Sequence, residues 1–103
     1  MKSKSHFTAL LTYTPMEEGG RPTPVSSGYR PGFKFPFDEN LFTGIQKFAG
    51  TDLVFPGDTV NAEITLLNPE KLTGKIYEGM DFDFFEGPKR IGHGTITKLY
   101  IQI

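Results

Sequence analysis

Glycine and proline are spread through the whole chain, and this distribution constrains the fold more than any other feature. The sequence has 12 Gly and 8 Pro among 103 residues. Outside residues 1–14 and 58–68, no stretch is long enough without one of these breakers to form an ordinary helix. The sequence therefore predicts an all-β fold.

Two segments alternate apolar and polar side chains, the pattern typical of a strand with one buried face. They are residues 7–14 and residues 60–67. The second follows Phe55-Pro56-Gly57-Asp58, in which Pro and Gly suit the two central positions of a type II turn. We expect two strands here, with a turn leading into the second.

Aromatic residues mark two further strand regions. In residues 29–37 one face is aromatic and the other polar, and the prolines limit this strand to an edge or bulged position. Residues 80–84, a turn at 86–90 and the apolar stretch 91–103 predict a hairpin. Short strands between turns predict a small barrel or sandwich, and closure would remove exposed sheet edges. The side chains expected in the core are Phe33, Phe35, Val60, Ile64, Phe82, Phe84 and Ile96.

Length and composition predict a single soluble domain spanning residues 1–103. Charges nearly balance, with 11 Lys and Arg against 12 Asp and Glu, so any nucleic-acid binding must come from a local patch. The absence of Cys excludes disulfides, thiolate metal ligands and thiol nucleophiles. No apolar run approaches the ~20 residues that span a bilayer. We expect a cytoplasmic protein with no membrane contact, and Met1 with its short polar lead suggests a natural start.

Residues with catalytic potential are few and scattered. His6 and His93 lack a second ligand at metal-binding spacing. Ser26 and Ser27 lie outside a Gly-x-Ser-x-Gly context. The carboxylate pairs at 17–18 and at 81 and 83 fit a solvated turn and a polar strand face better than an acid–base pair. We expect no enzymatic activity, no metal and no cofactor.

The glycine-rich segment 87–94 has the spacing of a phosphate loop. His93 stands where the loop needs Lys, and no helix pattern follows to offer its N-terminus. We therefore expect no nucleotide binding.

Three short basic loops remain, at 20–21, 29–30 and 89–90. Basic side chains beside accessible backbone amides can hold phosphates without reading bases. On composition alone, ordinary solvated surface charge is the favoured explanation of these loops.

Five sequence blocks, in order, resemble the C-terminal domain (domain III) of bacterial elongation factor Tu. The resemblance runs from about His6 to Lys98 and includes the Gly19-Gly20-Arg21 motif. The blocks are residues 18–24, 28–35, 54–58, 66–69 and 86–98. The resemblance implies a six-stranded antiparallel Greek-key β-barrel.

The resemblance also implies what such a domain contacts. In that family it packs on the GTP-binding domain and the middle barrel, contacts the T-stem backbone of aminoacyl-tRNA, and meets the nucleotide exchange factor. Neither of the other two domains is present in this sequence. GTPase activity therefore does not follow from the resemblance.

Four positions match the T-stem contacts of the family. The positions that the resemblance implies bind RNA are Arg21, Thr43, Glu86 and Gly87. Pro22 and Gly32 depart from the family, which usually has His and Gln there. Segments 36–42 and 70–85 are longer than in the family, which would alter the docking surface. The resemblance thus implies weak tRNA binding at most.

Two functions from different classes follow. The first is a translation-linked interaction domain, whose barrel face binds a protein partner or a second copy of the chain. The second is a weak tRNA-binding module. A basic stripe joining Arg21, Arg30, Lys89 and Arg90 would favour RNA, whereas a contiguous patch of Phe, Leu and Tyr would favour protein.

Overall fold

The computed structural model describes residues 5–100, which form eight strands and two short 3₁₀ helices. The helices are Met16–Glu18 and Pro69–Leu72. The strands are β1 (Phe7–Tyr13), β2 (Val25–Ser26), β3 (Gly32–Lys34), β4 (Phe42–Phe48), β5 (Leu53–Val54), β6 (Thr59–Leu66), β7 (Asp81–Glu86) and β8 (Lys89–Leu99). In this part of the chain no helix is long and apolar enough to cross a membrane.

Six strands close into an antiparallel barrel in the order β1-β6-β4-β3-β7-β8, and β8 returns to pair with β1. Strands β3, β4 and β6 follow one another around the barrel, while β1 lies beside β6 and β7 beside β3. This arrangement is a Greek key. The prediction of an all-β, six-stranded Greek-key barrel is confirmed. Strands β2 and β5 form a separate two-stranded sheet.

The barrel interior is filled mainly by aromatic rings. Of the seven predicted core side chains, six are buried, and Val60 is half-buried against the cluster. Phe33 lies against Phe82 and Phe84, with ring centroids 5.3 and 6.2 Å away. Three rings this large fit a narrow barrel because glycines stand beside them: a Cβ on Gly44 would lie 2.7 Å from the Phe33 ring.

Two glycines of segment 87–94, Gly92 and Gly94, serve the same packing. A Cβ on Gly92 would lie 2.3 Å from Cζ of Phe84, and one on Gly94 would lie 2.7 Å from Cζ of Phe82. The segment forms the β7–β8 hairpin rather than a loop before a helix. Its glycine spacing thus follows from the hairpin turn, where Gly87 has φ +60°, and from ring packing at Gly92 and Gly94. Residues 101–103, predicted to continue the last strand, lie outside the described residues.

The aromatic segment 29–37 differs from its predicted long strand. Only Gly32–Lys34 is a strand, because Pro31 and Pro36 offer no N–H for pairing. The chain turns after Phe35, where the N–H of Asp38 donates to the Phe35 carbonyl at 3.2 Å. Phe37 was predicted on the buried aromatic face, but this turn leaves it 40% exposed.

The predicted turn before β6 is confirmed. The N–H of Asp58 donates to the Phe55 carbonyl at 3.0 Å, and Gly57 has φ +91°. A positive φ at the third turn position defines a type II turn and favours glycine.

Candidate functional site

The outer surface of β7, β3 and β4 brings together most of the positions that match tRNA contacts. Gly32 pairs with Phe85 on one side and with Thr43 on the other. Neighbouring strands lie ~4.8 Å apart, so these residues form one short row across the barrel. Glu86 and Gly87 follow Phe85 at the end of β7. Sequence positions more than 40 residues apart therefore share one region of the surface.

Arg21 joins this region through Glu86. Its Nε donates to Oε1 of Glu86 at 2.6 Å, and its Nη1 donates to the carbonyls of Thr23 and Pro24 at 2.7 and 3.1 Å. The Tyr29 hydroxyl donates to the same Oε1 at 2.6 Å. The guanidinium also lies 5.5 Å from the centre of the Tyr29 ring, a cation–π geometry.

These contacts perturb the titration of two members of the cluster. The hydrogen bonds from Tyr29 and Arg21 lower the pKa of Glu86 below its usual value. Burial, and then the hydrogen bond to Glu86, raise the pKa of Tyr29. At neutral pH the cluster is thus an ionised carboxylate held by a cation and a neutral phenol. This arrangement fixes the loop before β3 onto the end of β7.

The charges of this region are largely paired within the chain. The Arg21 side chain is only 20% exposed, and Arg90 pairs with Asp83 at 3.0 Å. Lys89 lies opposite Glu86 in the β7–β8 register. Phosphate binding draws its affinity from cations that neutralise the backbone. Two of the four arginine and lysine residues proposed for a basic stripe already neutralise carboxylates of this protein.

Apolar side chains adjoin the row. Leu41 is 46% exposed and leans over Gly32, 3.2 Å from where a Cβ would stand. Leu67 is 47% exposed, and its N–H donates to the Thr43 carbonyl at 3.0 Å. Half-buried side chains on the outer phase of β4 and β7 extend this surface. We call Leu41, Thr43, Ile45, Leu67 and Phe85 the Leu41–Leu67 patch.

The histidines and serines have structural partners or lie apart. Nδ1 of His6 accepts the N–H of Leu66 at 3.0 Å, and burial lowers the pKa of this imidazole. His93 is exposed on β8, with Nδ1 3.4 Å from Nη2 of Arg90. Oγ of Ser27 accepts the N–H of Phe48 at 2.9 Å. Within residues 5–100 no group of three or more His, Cys, Asp or Glu is placed to hold a metal ion.

The carboxylates of β7 support the hairpin. Oδ1 of Asp81 accepts the Thr95 hydroxyl at 2.6 Å, while Asp83 pairs with Arg90. Both lie on the outer phase of the strand, with the buried ring of Phe82 between them. Both carboxylates thus bond to side chains of β8, Asp81 to Thr95 and Asp83 to Arg90.

A buried polar pair was not expected from the sequence. Gln46 is fully buried, and its Oε1 accepts the hydroxyl of Tyr13. Its Nε2 has no hydrogen-bond partner among the described residues. Burial raises the pKa of the Tyr13 hydroxyl, which therefore stays neutral. The burial of Gln46 had one sign in the sequence, its position on the inward-facing phase of β4 among apolar neighbours.

The sequence matches no protein-family model. The resemblance to the elongation factor Tu C-terminal domain therefore rests on the sequence blocks alone.

Proposed function

We propose that this barrel is a non-catalytic binding module, related to the elongation factor Tu C-terminal domain and linked to translation, that docks a partner protein through the Leu41–Leu67 patch. The proposed module itself carries no GTPase activity, which in that family belongs to the GTP-binding domain. The proposal places the protein in the cytoplasm, where translation occurs. The exposure of Leu41 and Leu67 beside Thr43 is the observation that carries the proposal.

Exposed apolar side chains favour a protein surface as the ligand. Two large leucines, each almost half exposed, lie on either side of Thr43, Leu41 over Gly32 and Leu67 hydrogen-bonded to the Thr43 carbonyl. Ile45 and Phe85 on the same outer face are half-buried. Contiguous apolar surface on a small domain marks interaction sites. At the end of β7, next to Phe85, Glu86 is neutralised by Arg21 at the rim of the patch. An apolar centre with a polar rim is the usual anatomy of a protein interface.

Docking occurs through side chains rather than by adding a strand. The barrel is closed, so its six strands offer no free edge. The exposed edge of β5 is capped locally: the Leu53 carbonyl accepts the Thr51 hydroxyl at 3.0 Å, and the Phe55 N–H donates to Asp58 Oδ2 at 2.9 Å. These caps block strand addition at that edge.

The size of the patch favours a partner protein over a stable homodimer. Five side chains, three of them half-buried or small, fall well short of the roughly 20–30 residues a side of a standard interface. Obligate homodimer interfaces are larger still and more apolar. The patch therefore fits a transient contact with another protein. Self-association through the patch would instead favour the homodimer.

Weak tRNA binding is the second candidate. It is favoured by the row that places Thr43, Glu86 and Gly87 on one surface, and by the exposed basic side chain of Arg30 nearby in sequence. The Arg21–Glu86 ion pair opposes it, because phosphate would have to compete with a carboxylate at 2.6 Å.

Site-specific photo-crosslinking distinguishes these functions. A photoreactive residue replaces Leu67 in one version of the protein and Leu10 in another. Leu10 is the matched control, since it is 42% exposed on the outer face of β1, between Asn61 and Thr95. We expect Leu67 to give one discrete protein adduct that Leu10 does not give and that Leu41→Ser removes. An RNA adduct, a dimer of this chain or equal labelling from both positions would contradict the proposal.

A further inference from the structure

A second surface, made of other residues, carries three of the nine large apolar side chains that are exposed in the described part of the chain. Leu53 and Phe55 are 42% and 49% exposed, and they flank buried Val54 on the outward side of β5. Met16, 57% exposed, lies in the neighbouring 3₁₀ helix.

The two segments are held together by the backbone. The N–H of Gly57 donates to the Tyr13 carbonyl, and the N–H of Tyr13 donates to the Asp58 carbonyl, each at 2.9 Å. A Cβ on Gly57 would lie 3.9 Å from the Pro15 ring. Met16, next to Pro15, is therefore near the turn that contains Phe55.

Every charge in these two segments is negative. Residues 14–20 and 51–60 contain no Lys or Arg, and they contain Glu17, Glu18, Asp52 and Asp58. Neither ion pair found among residues 5–100 involves these carboxylates. Arg21, the next cation along the chain, is held by Glu86. In a chain of net charge −1, this surface is a local concentration of acid.

A groove adjoins the surface at Asp52. It measures about 650 Å³ and lies over the outer face of β4 and β6, lined in part by Ser27, Phe48 and Glu63. Lys47, also in the groove, lies opposite Glu63 in the register, so these two charges offset each other. The remaining charge of the groove is that of Asp52.

We propose that Met16, Glu17, Glu18, Asp52, Leu53 and Phe55, together the Phe55 surface, dock a basic segment of a partner protein in which Lys or Arg flank apolar side chains. Apolar contacts to Leu53 and Phe55 supply affinity, and the carboxylates select the charge of the partner. A nucleic acid is repelled by the same carboxylates. A second copy would bring an equally acidic surface, and like charges oppose that contact.

The test uses two synthetic peptides of equal length and the isotopically labelled full chain. One peptide alternates Lys and Leu, and the other alternates Glu and Leu. We expect the Lys peptide to shift the amide resonances of residues 16–18 and 51–58, and the Glu peptide to leave them unchanged. The double variant Glu17→Lys, Glu18→Lys should bind the Lys peptide roughly tenfold more weakly at low salt, because the two reversed charges act almost unscreened there. Phe55→Ser should remove the shifts, while Leu41→Ser on the other surface should preserve them.

Three results would overturn the proposal: equal binding of the Glu peptide, shifts that avoid the Phe55 surface, or unchanged affinity in the doubly substituted protein. A dimer that forms without peptide and is lost in Phe55→Ser would also overturn it, in favour of self-association. Amide dispersion in each variant reports whether the barrel is still folded. This test reads resonances of the Phe55 surface, whereas the proposed function is read from crosslinks at position 67, so the failure of either leaves the other standing.

Discussion

Replacing Gly44 with Ala tests the claim that glycines make room for the aromatic core. The added methyl would lie 2.7 and 2.9 Å from two atoms of the Phe33 ring and 3.0 Å from Cδ2 of Leu66. Phe33 is fully buried and has Phe35, Phe82 and Phe84 around it, so its ring has no space into which it can move.

The expected cost combines two effects of opposite sign. Ala in place of Gly stabilises a strand by about 0.4–1 kcal/mol where space allows, because the unfolded chain loses freedom. Overpacking a full core costs about 1–3 kcal/mol. We expect Gly44→Ala to lower the free energy of unfolding by about 1–2 kcal/mol, which for a domain of this size is a drop in Tm of very roughly 5–15 °C.

Gly32→Ala is the matched control on the adjacent strand. Its new methyl would meet the side chain of Leu41 at 3.2 Å, and Leu41 is exposed and can move aside. We expect Gly32→Ala to stay within about 0.5 kcal/mol of the parent, as surface changes usually do. Urea denaturation followed by circular dichroism measures the free energy of unfolding of both variants.

A second substitution separates crowding from other causes. In a Phe33→Leu background the ring atoms that Gly44→Ala would strike are gone, so its further cost should fall. Equal effects of Gly44→Ala and Gly32→Ala, or an undiminished cost in the Phe33→Leu background, would refute the packing argument.

Three further outcomes are expected. Phe35→Ala should cost about 3–5 kcal/mol in urea denaturation, because the ring is fully buried among other aromatic rings, and a loss below about 1 kcal/mol would contradict its placement in the core. The pKa of Glu86 is lowered by folding, so its contribution to stability is present above its unfolded pKa near 4.5 and is lost as pH falls through its folded pKa. Glu86→Gln should therefore destabilise the protein at about pH 7 and much less at about pH 3. An equal effect at both pH values would contradict the ion-pair account. Any tRNA binding should weaken between about 50 and 200 mM salt, and Arg21→Ala should flatten the dependence of log K on log salt by about one unit if Arg21 contacts a phosphate, or leave it unchanged if the guanidinium stays with Glu86.

Sequence patterns located the strands whose alternation is regular. Strand β1, strand β6 and the β7–β8 hairpin lie where the period-two pattern and the turn residues placed them. The long strand expected over residues 29–37 was wrong, because the prolines remove two pairing donors and the chain turns at Phe35. The same turn exposes Phe37. Alternation alone does not show where a strand leaves the barrel.

The candidate site depended on contacts that no local pattern encodes. Arg21 and Glu86 are 65 positions apart, and their ion pair exists because the barrel closes between them. The apolar neighbours of Thr43 were not expected either, since Leu41 and Leu67 lie at the ends of segments where alternation stops. Gln46 follows its strand's inward phase, but the pattern gave no sign that Tyr13 would satisfy its oxygen.

The most direct measurement of the central claim is the affinity of the purified protein that crosslinks to position 67. Leu41→Asp should weaken its binding at least about tenfold, because a carboxylate in the apolar centre of an interface is costly to desolvate. Leu10→Asp, on the outer face of β1, should leave the affinity unchanged. Equal affinities for both variants and the parent would contradict the assignment of the Leu41–Leu67 patch as the docking surface.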